Sequence, residues 1–302
     1  MTKTTIEWAD EVWNPVTGCT KVSQGCKNCY AERVAERFWG ERKFTDVRMH
    51  PERLEDPLHW KKPRRVFVNS MSDLFHPDVP FDFIDRVFAV MALCPQHTFL
   101  VLTKRPERMV AWFRDISSTT RSTWVWSEMG RLLNANKVRY PEWPLPNVWM
   151  GVSVEDQKAA DERIPLLLQT PAAVRFISAE PLLGPVDLRR GIYSTSPDGE
   201  SRGTSVEGLN WVICGGESGS NARPMHPDWV RGLRDQCQAA GVPFFFKQWG
   251  EWAPDCLCDT KEAHKTIDRP QPGHIGCMFR CGKKAAGRLL DGHEWNEYPG
   301  GE

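Results

Sequence analysis

What most limits the folds open to this chain is a repeated alternation of short β-branched or aromatic runs with amphipathic stretches. Runs of the first kind fall at residues 11–16, 65–69, 98–103, 147–153, 174–178, 210–214 and 243–247. Between them, helical periodicity marks residues 30–38, 81–93, 106–114, 156–168 and 227–240. The last of these is well bounded, with Pro227 and Asp228 at its start and Gly241 just past its end, where a left-handed stop residue belongs. Such alternation predicts a parallel sheet with right-handed crossovers, and a run of this length predicts a complete or partial (β/α) barrel, with a doubly wound sheet as the second architecture. Each predicted strand after the first ends in a small or polar cluster. These are Asn69-Ser70-Met71-Ser72-Asp73, Thr103-Lys104-Arg105, Ser153-Val154-Glu155-Asp156, Ser178-Ala179-Glu180, Gly215-Gly216-Glu217-Ser218 and Lys247-Gln248-Trp249. The carboxyl ends of parallel strands form the ligand face in either architecture, so these clusters are expected to converge on one cavity.

The rhythm stops beyond Gly250. Residues 1–250 therefore read as a partial (β/α) TIM-like barrel, and residues 251–302 as a small Cys-rich C-terminal extension that also carries His264, His274 and His293. Two stretches interrupt the barrel pattern, residues 116–146, with one further helix expected near 128–134, and residues 190–208, which read as a hairpin or loop; both are candidate lids. Lysine plus arginine and aspartate plus glutamate each total 39, so a broad electrostatic grip on nucleic acid is not written into the composition. No apolar stretch reaches the roughly 18 residues of a membrane span, and no membrane partner is expected. The first residues lack the apolar core of a secretory signal, which makes the reducing cytoplasm the expected compartment.

In that compartment the ten cysteines call for a reading as thiols or ligands rather than disulfides. Cys94, Cys214 and Cys237 lie in apolar segments, where cysteine behaves as a small hydrophobe. Cys19, Cys26 and Cys29 are grouped on a Gly-punctuated loop before the first helix, with six residues in the first gap and two in the second. Three thiolates can hold three irons of a [4Fe–4S] cluster and leave the fourth iron open. Gly18 and Gly25 let the backbone bend around such a core, and the helix beginning after Cys29 offers the positive end of its dipole. Structural zinc is the other metal reading, with His50 as the first candidate for a fourth ligand, and unliganded thiols are the third. Cys256, Cys258, Cys277 and Cys281 would close a tetrahedral shell around zinc, or hold an auxiliary iron–sulfur cluster, and a segment so poor in apolar residues would gain order from such a staple.

Trp13-Asn14-Pro15, the Cys19, Cys26 and Cys29-Tyr30-Ala31-Glu32 loop, Asn69 to Phe75, Leu102-Thr103-Lys104-Arg105, Gly151-Val152-Ser153, Ser178 to Leu182 and Gly215 to Gly219 occur in that order. Over residues 4–253 this set resembles a phage-associated three-cysteine-motif family with radical-SAM-like character. The resemblance implies a partial barrel of the radical SAM type and a [4Fe–4S] cluster on Cys19, Cys26 and Cys29. It further implies S-adenosylmethionine at the open iron and an electron donor such as flavodoxin or ferredoxin. No substrate comes with the resemblance, and the phage context points by analogy to a nucleotide or nucleic acid. The first cysteine gap is longer here than in the broader radical SAM pattern. The Gly-Gly-Glu motif also follows the sixth strand rather than the second, so Asn69, Ser70, Ser72 and Asp73 at the second strand end are candidates for the methionine moiety.

By strand-end position the remaining cofactor candidates are Ser153, Ser178, Gly215, Gly216 and Glu217, with Lys104 and Glu180 as catalytic candidates. Asp73 or Glu217 could balance a cationic amine, and Lys104 or Arg105 could pair with a carboxylate or phosphate. Two other function classes stay open. One is a non-catalytic zinc- or nucleic-acid-binding module that uses the same cysteines structurally, with the basic and aromatic residues around Trp60, Arg64, Arg121, Trp124 and Trp126 as its surface. The other is a barrel hydrolase with Glu180 and Glu217 as an acid/base pair.

Overall fold

The computed structural model describes residue 4 and residues 6–116, 120–134, 138–190, 192–195, 201–254 and 278–301. Its main strands are β1 Glu11–Trp13, β2 Arg65–Val68, β3 Thr98–Thr103, β4 Val148–Ser153, β5 Val174–Ala179, β6 Trp211–Gly215 and β7 Phe244–Gln248. They join one seven-stranded sheet in chain order, from β1 at one edge to β7 at the other. Each described pairing is parallel: Phe67 opposes Leu100, Val101 opposes Met150, and Val212 lies between Ile177 and Phe244. A doubly wound sheet reverses its strand order at a switch point. No reversal occurs here, so the architecture is mixed α/β with a singly wound parallel sheet, compatible with a partial (β/α) barrel.

The helices are α1 Tyr30–Phe38, α2 Phe81–Leu93, α3 Pro106–Ile116, α4 Thr120–Leu132, α5 Gln157–Leu168 and α6 Pro227–Ala240. Two local readings change. The first predicted strand is split, because Pro15 has no N–H to continue a ladder, and Val16–Thr17 instead pairs antiparallel with Arg48–Met49. The helix expected at 128–134 begins a full two turns earlier, where Thr120, Ser122 and Thr123 lower the intrinsic propensity but Val125 and Met129 supply a buried face. Residues 190–208 contain the antiparallel pair Ile192–Thr195 and Ser201–Thr204, the expected hairpin. No helix among the described residues is long and apolar enough to cross a membrane.

The chain packs as two compact units. The first comprises Met1–Val22, Ala31–Val152 and Leu166–Arg175. Strands β2 and β3 are near-continuous apolar runs, as befits strands covered on both faces, and Val66, Val68, Phe99 and Val101 are inaccessible to solvent. Phe88 of α2 stacks 4.1 Å from the Trp112 ring of α3. The buried Asp85 carboxylate takes hydrogen bonds from Trp112 Nε1 and Arg121 Nη1, at 2.9 Å each, which ties α2 to α3 and α4.

The second unit comprises Ser23–Tyr30, Ser153–Pro165 and Phe176–Glu302. Its core centres on Trp211, in ring contact with Phe176, Phe245 and Tyr298. Helix α6 is bounded as its sequence predicts, with Pro227 in the first turn and Gly241 closing the other end at φ +66°; the structure adds a cap by His226, whose Nδ1 accepts from the Asp228 N–H at 2.7 Å. The described part of the C-terminal segment belongs to this unit, with the Phe246 N–H donating to the Trp295 carbonyl at 2.9 Å and Trp211 Nε1 to the Glu297 carbonyl at 2.7 Å.

Candidate functional site

In the first unit the end of β2 turns sharply at Asn69, a non-glycine residue at φ +63°, a strained conformation that asparagine tolerates better than most residues. Its Oδ1 accepts from the Val16 N–H at 3.2 Å, while its Nδ2 is buried without a partner among the described residues. The residues that follow hold the start of the cysteine loop. Asn14 Oδ1 accepts from the Met71 N–H, Ser70 Oγ exchanges hydrogen bonds with the Asn14 amide, and Ser72 Oγ donates to the Val16 carbonyl. Gly18 sits at φ +94°, where a Cβ would stand 2.5 Å from the Asp46 carbonyl oxygen, so no other residue fits this bend.

Asp73 is the hub of this unit's polar centre. Its Oδ1 accepts from Thr103 Oγ1 at 2.7 Å and the Phe75 N–H at 3.0 Å, and its Oδ2 from Arg105 Nη1 at 2.9 Å and the Lys104 N–H at 3.1 Å. Arg105 Nη1 also reaches the Cys19 sulfur at 3.5 Å, and its Nη2 donates to the Thr20 carbonyl and hydroxyl. Burial works against the Arg105 charge, but Asp73 and Cys19 beside it outweigh that and hold the guanidinium above its usual pKa. Thr20 Oγ1 lies 2.8 Å from His76 Nε2. His50, the candidate fourth zinc ligand, has both ring nitrogens engaged, one with Thr17 Oγ1 at 2.7 Å and one with Glu52 at 3.0 Å.

In the second unit, Cys26 closes the short 3₁₀ turn Gln24–Cys26, and Cys29 directly precedes α1. Ser23 Oγ donates to Glu155 Oε1 at 3.0 Å, and Gly25 presses on the same carboxyl group, where a Cβ would lie 2.3 Å from Glu155 Cγ. Glu155 is fully buried against Arg163, whose Nη1 donates to both its oxygens and to the Ser153 carbonyl. Glu217 is also buried. Burial pushes its carboxyl up, but hydrogen bonds from Arg223 and Asn28 outweigh that, and it is held below the usual carboxylate range.

The same unit gathers Ser178, Glu180, Gly215 and Lys247. Lys247 Nζ is 3.0 Å from Glu180 Oε1, and Ser178 Oγ donates to Oε2 at 3.0 Å. A Cβ on Gly215 would come within 2.8 Å of that carboxylate. Gly216 makes a tight turn, since a Cβ there would stand 1.9 Å from the Trp249 carbonyl oxygen. Gln248 donates to Ser218 Oγ at 2.9 Å, and its Oε1 is buried without a partner. The two carboxylates of the hydrolase reading thus pair with different cations, Glu180 with Lys247 and Glu217 with Arg223.

Cys19, Cys26 and Cys29 are unbridged and half-buried. Cys94 and Cys237 are fully buried, and burial pushes both thiols up to about 12. Burial raises Cys214 well above its usual value too. Of the C-terminal group only Cys281 is described, and Cys256, Cys258 and Cys277 lie outside the described residues. Among the described residues no three His, Cys, Asp or Glu side chains stand together in the arrangement of a metal cage. Sequence reasoning missed Asn14, Ser23, Asn28, Arg163 and Arg223 as parts of these networks. Only Asn14 carried a signal, its place in Trp13-Asn14-Pro15; the others acquire their roles through contacts distant in the chain.

No curated protein and no solved structure matches the chain. Residues 3–299 match the family described as a protein of unknown function, DUF5131, and the chain belongs to that family.

Proposed function

We propose that this protein is an iron–sulfur enzyme of the radical SAM type. Cys19, Cys26 and Cys29 would hold three irons of a [4Fe–4S] cluster and S-adenosylmethionine would bind at the fourth. The observation that carries this reading is the segregation of sulfur. The three loop thiols are unbridged and half-buried, while Cys94, Cys214 and Cys237 are sealed in the core, and a buried guanidinium is directed at the Cys19 sulfur. Thiolates are the ligands iron–sulfur clusters use, and donors to those sulfurs tune the centre. Both His50 nitrogens are engaged within the protein, by Thr17 Oγ1 and Glu52, so the histidine that is the first candidate for a fourth zinc ligand is already hydrogen-bonded.

When bound, the cluster and S-adenosylmethionine supply one-electron reductive cleavage of the sulfonium and a radical able to abstract hydrogen. The chain's own residues bind, orient and shield. Among the described residues, Asn69 Nδ2 in the first unit and Gln248 Oε1 in the second are each buried without a hydrogen-bond partner, and each could serve a polar atom of a ligand within its own unit. Lys247 and Glu180 supply a cation and an anion at another strand end. An external flavodoxin- or ferredoxin-type donor would supply the electron, and a nucleotide or nucleic acid is the substrate class by analogy alone.

Anaerobic reconstitution with iron and sulfide tests the reading. The expected product is a brown protein with about four irons per chain, its visible absorbance lost in Cys26→Ala, that forms 5′-deoxyadenosine from S-adenosylmethionine and dithionite. A colourless protein with stoichiometric zinc would instead establish the structural-metal module.

A further inference from the structure

We infer that Glu155 and Glu217 are positioning residues for the turn that carries Cys26 and Cys29. A carboxylate offers about four acceptor sites. Glu217 Oε1 takes Arg223 Nη2 at 2.6 Å, while Oε2 takes the Arg223 N–H at 2.8 Å, Arg223 Nε at 2.9 Å and Asn28 Nδ2 at 3.0 Å. Oε2 thus takes three protein donors and Oε1 one, so most of the carboxylate's acceptor capacity is spent within the protein.

Two of those donors come from groups that also grip the cysteine turn. Asn28, the residue before Cys29, gives its amide to Glu217 and to the Asn221 carbonyl at 2.7 Å. Arg223 Nη2 donates to the Gln24 carbonyl at 3.1 Å, inside the turn that ends at Cys26. Glu155 holds the other side of the turn through Ser23 Oγ, and it touches Gly25 so closely that a Cβ there would force the carboxyl group to move. Both carboxylates are in turn paired with an arginine at 3.0 Å or less, Glu155 with the buried Arg163 and Glu217 with the half-buried Arg223. Each glutamate therefore acts as a post, paired with its own arginine, with the turn's polar groups tied to it. This is how outer partners orient ligands in metal sites. The inference rests on the iron–sulfur reading only in what the two sulfurs are held for.

Substituting either glutamate would leave its arginine, Arg163 or Arg223, without its ion-pair partner, so the test uses the turn side of each contact: Ser23→Ala, Asn28→Ala and the hydroxyl-retaining Ser23→Thr. The full chain is stripped of metal with a chelator under reducing conditions, and maleimide labelling is followed at each cysteine by mass spectrometry. The clamp predicts labelling of Cys26 in Ser23→Ala and of Cys29 in Asn28→Ala about tenfold faster than in the parent, the factor expected for one lost hydrogen bond to a charged group. Ser23→Thr should restore the parent rate, and Cys94 and Cys237 should stay protected in every variant. Unchanged rates at Cys26 and Cys29 would overturn the inference. Parallel loading with iron and with zinc separates it from the wider reading. Accelerated labelling in a protein that binds neither metal leaves the clamp standing and removes the cluster. A metal-loaded parent whose variants release metal to chelator about tenfold faster supports both.

Discussion

Arg105 Nη1 lies 3.5 Å from the Cys19 sulfur and, on its other side, 2.9 Å from Asp73 Oδ2. One guanidinium thus joins the carboxylate at the end of β2 to the first sulfur of the cysteine loop, and it does so out of water, with side-chain exposures of 9% for Arg105 and 6% for Asp73. Its remaining nitrogen holds the Thr20 backbone and hydroxyl. The pair is therefore a brace for the loop as well as a charge beside Cys19.

Arg105→Met should be costly for that reason. Removing one partner of a buried ion pair leaves the other charge uncompensated, at about 3–5 kcal/mol, and here Asp73 would keep only its three neutral donors. Urea unfolding of Arg105→Met is expected to show a loss in that range. Adding Asp73→Asn should recover part of it, because the two substitutions act on one interaction. Additive losses would mean that the two side chains are not energetically coupled.

Two glycines make opposite predictions for the same substitution. In Gly216→Ala the new Cβ meets the Trp249 carbonyl oxygen at 1.9 Å, backbone against backbone, so the turn after β6 must shift and stability should fall by about 2 kcal/mol or more. Gly232 lies inside α6, and nothing stands within 4 Å of its added Cβ. Gly232→Ala should therefore stabilise by about 0.5–1 kcal/mol, since alanine loses less backbone entropy in a helix. Thermal melts of the two variants on either side of the parent would bear this out; destabilisation by Gly232→Ala would contradict it.

These examples also mark what was legible in the sequence. The seven strands and their order could be read because buried parallel strands are written as apolar runs with polar ends, a pattern local to each segment. The ends of α6 could be read because Pro227 and Asp228 at its start and Gly241 at its close each act on the turn beside them. The roles of the polar residues could not. Glu217 looks like a ligand group at a strand end until Arg223 and Asn28, six and 189 residues away, are seen to occupy it. Asp73 likewise spends its oxygens on Thr103, Lys104 and Arg105. A strand end tells which side chains reach the carboxyl edge of the sheet, but not whether the protein itself fills their hydrogen-bonding capacity.

Acid should weaken the fold through histidines that are buried neutral. His226 Nδ1 accepts from the Asp228 N–H, and His76 Nδ1 from the Asp78 N–H at 3.2 Å, so each works as an unprotonated acceptor. Burial, only partly opposed by the neighbouring aspartates, holds both below the usual histidine value. As pH falls through about 6.5, the unfolded chain takes up these protons before the folded one does, so stability present above that pH is lost below it. The melting temperature should be flat above about pH 7 and decline toward pH 5. His226→Asn, which keeps a helix-capping acceptor without the titration, should make the decline shallower. An unaltered slope in that variant would remove His226 from the account.

The division of the cysteines can be read directly by alkylation. A thiol pushed up to about 12, as Cys94 and Cys237 are, holds roughly one part in ten thousand as thiolate at pH 8, and the thiolate is the reactive form. Both should label only as fast as the protein unfolds, whereas the half-buried Cys19, Cys26 and Cys29 should label in the native state. Metal then supplies the discriminating step. If one centre engages all three loop sulfurs, loading with iron must slow their alkylation together, with equal occupancy dependence, and leave Cys281 as a separate measure. Protection of Cys26 and Cys29 with Cys19 still reactive would mean a two-sulfur site, and the Arg105 contact would then serve the loop's structure rather than a cluster.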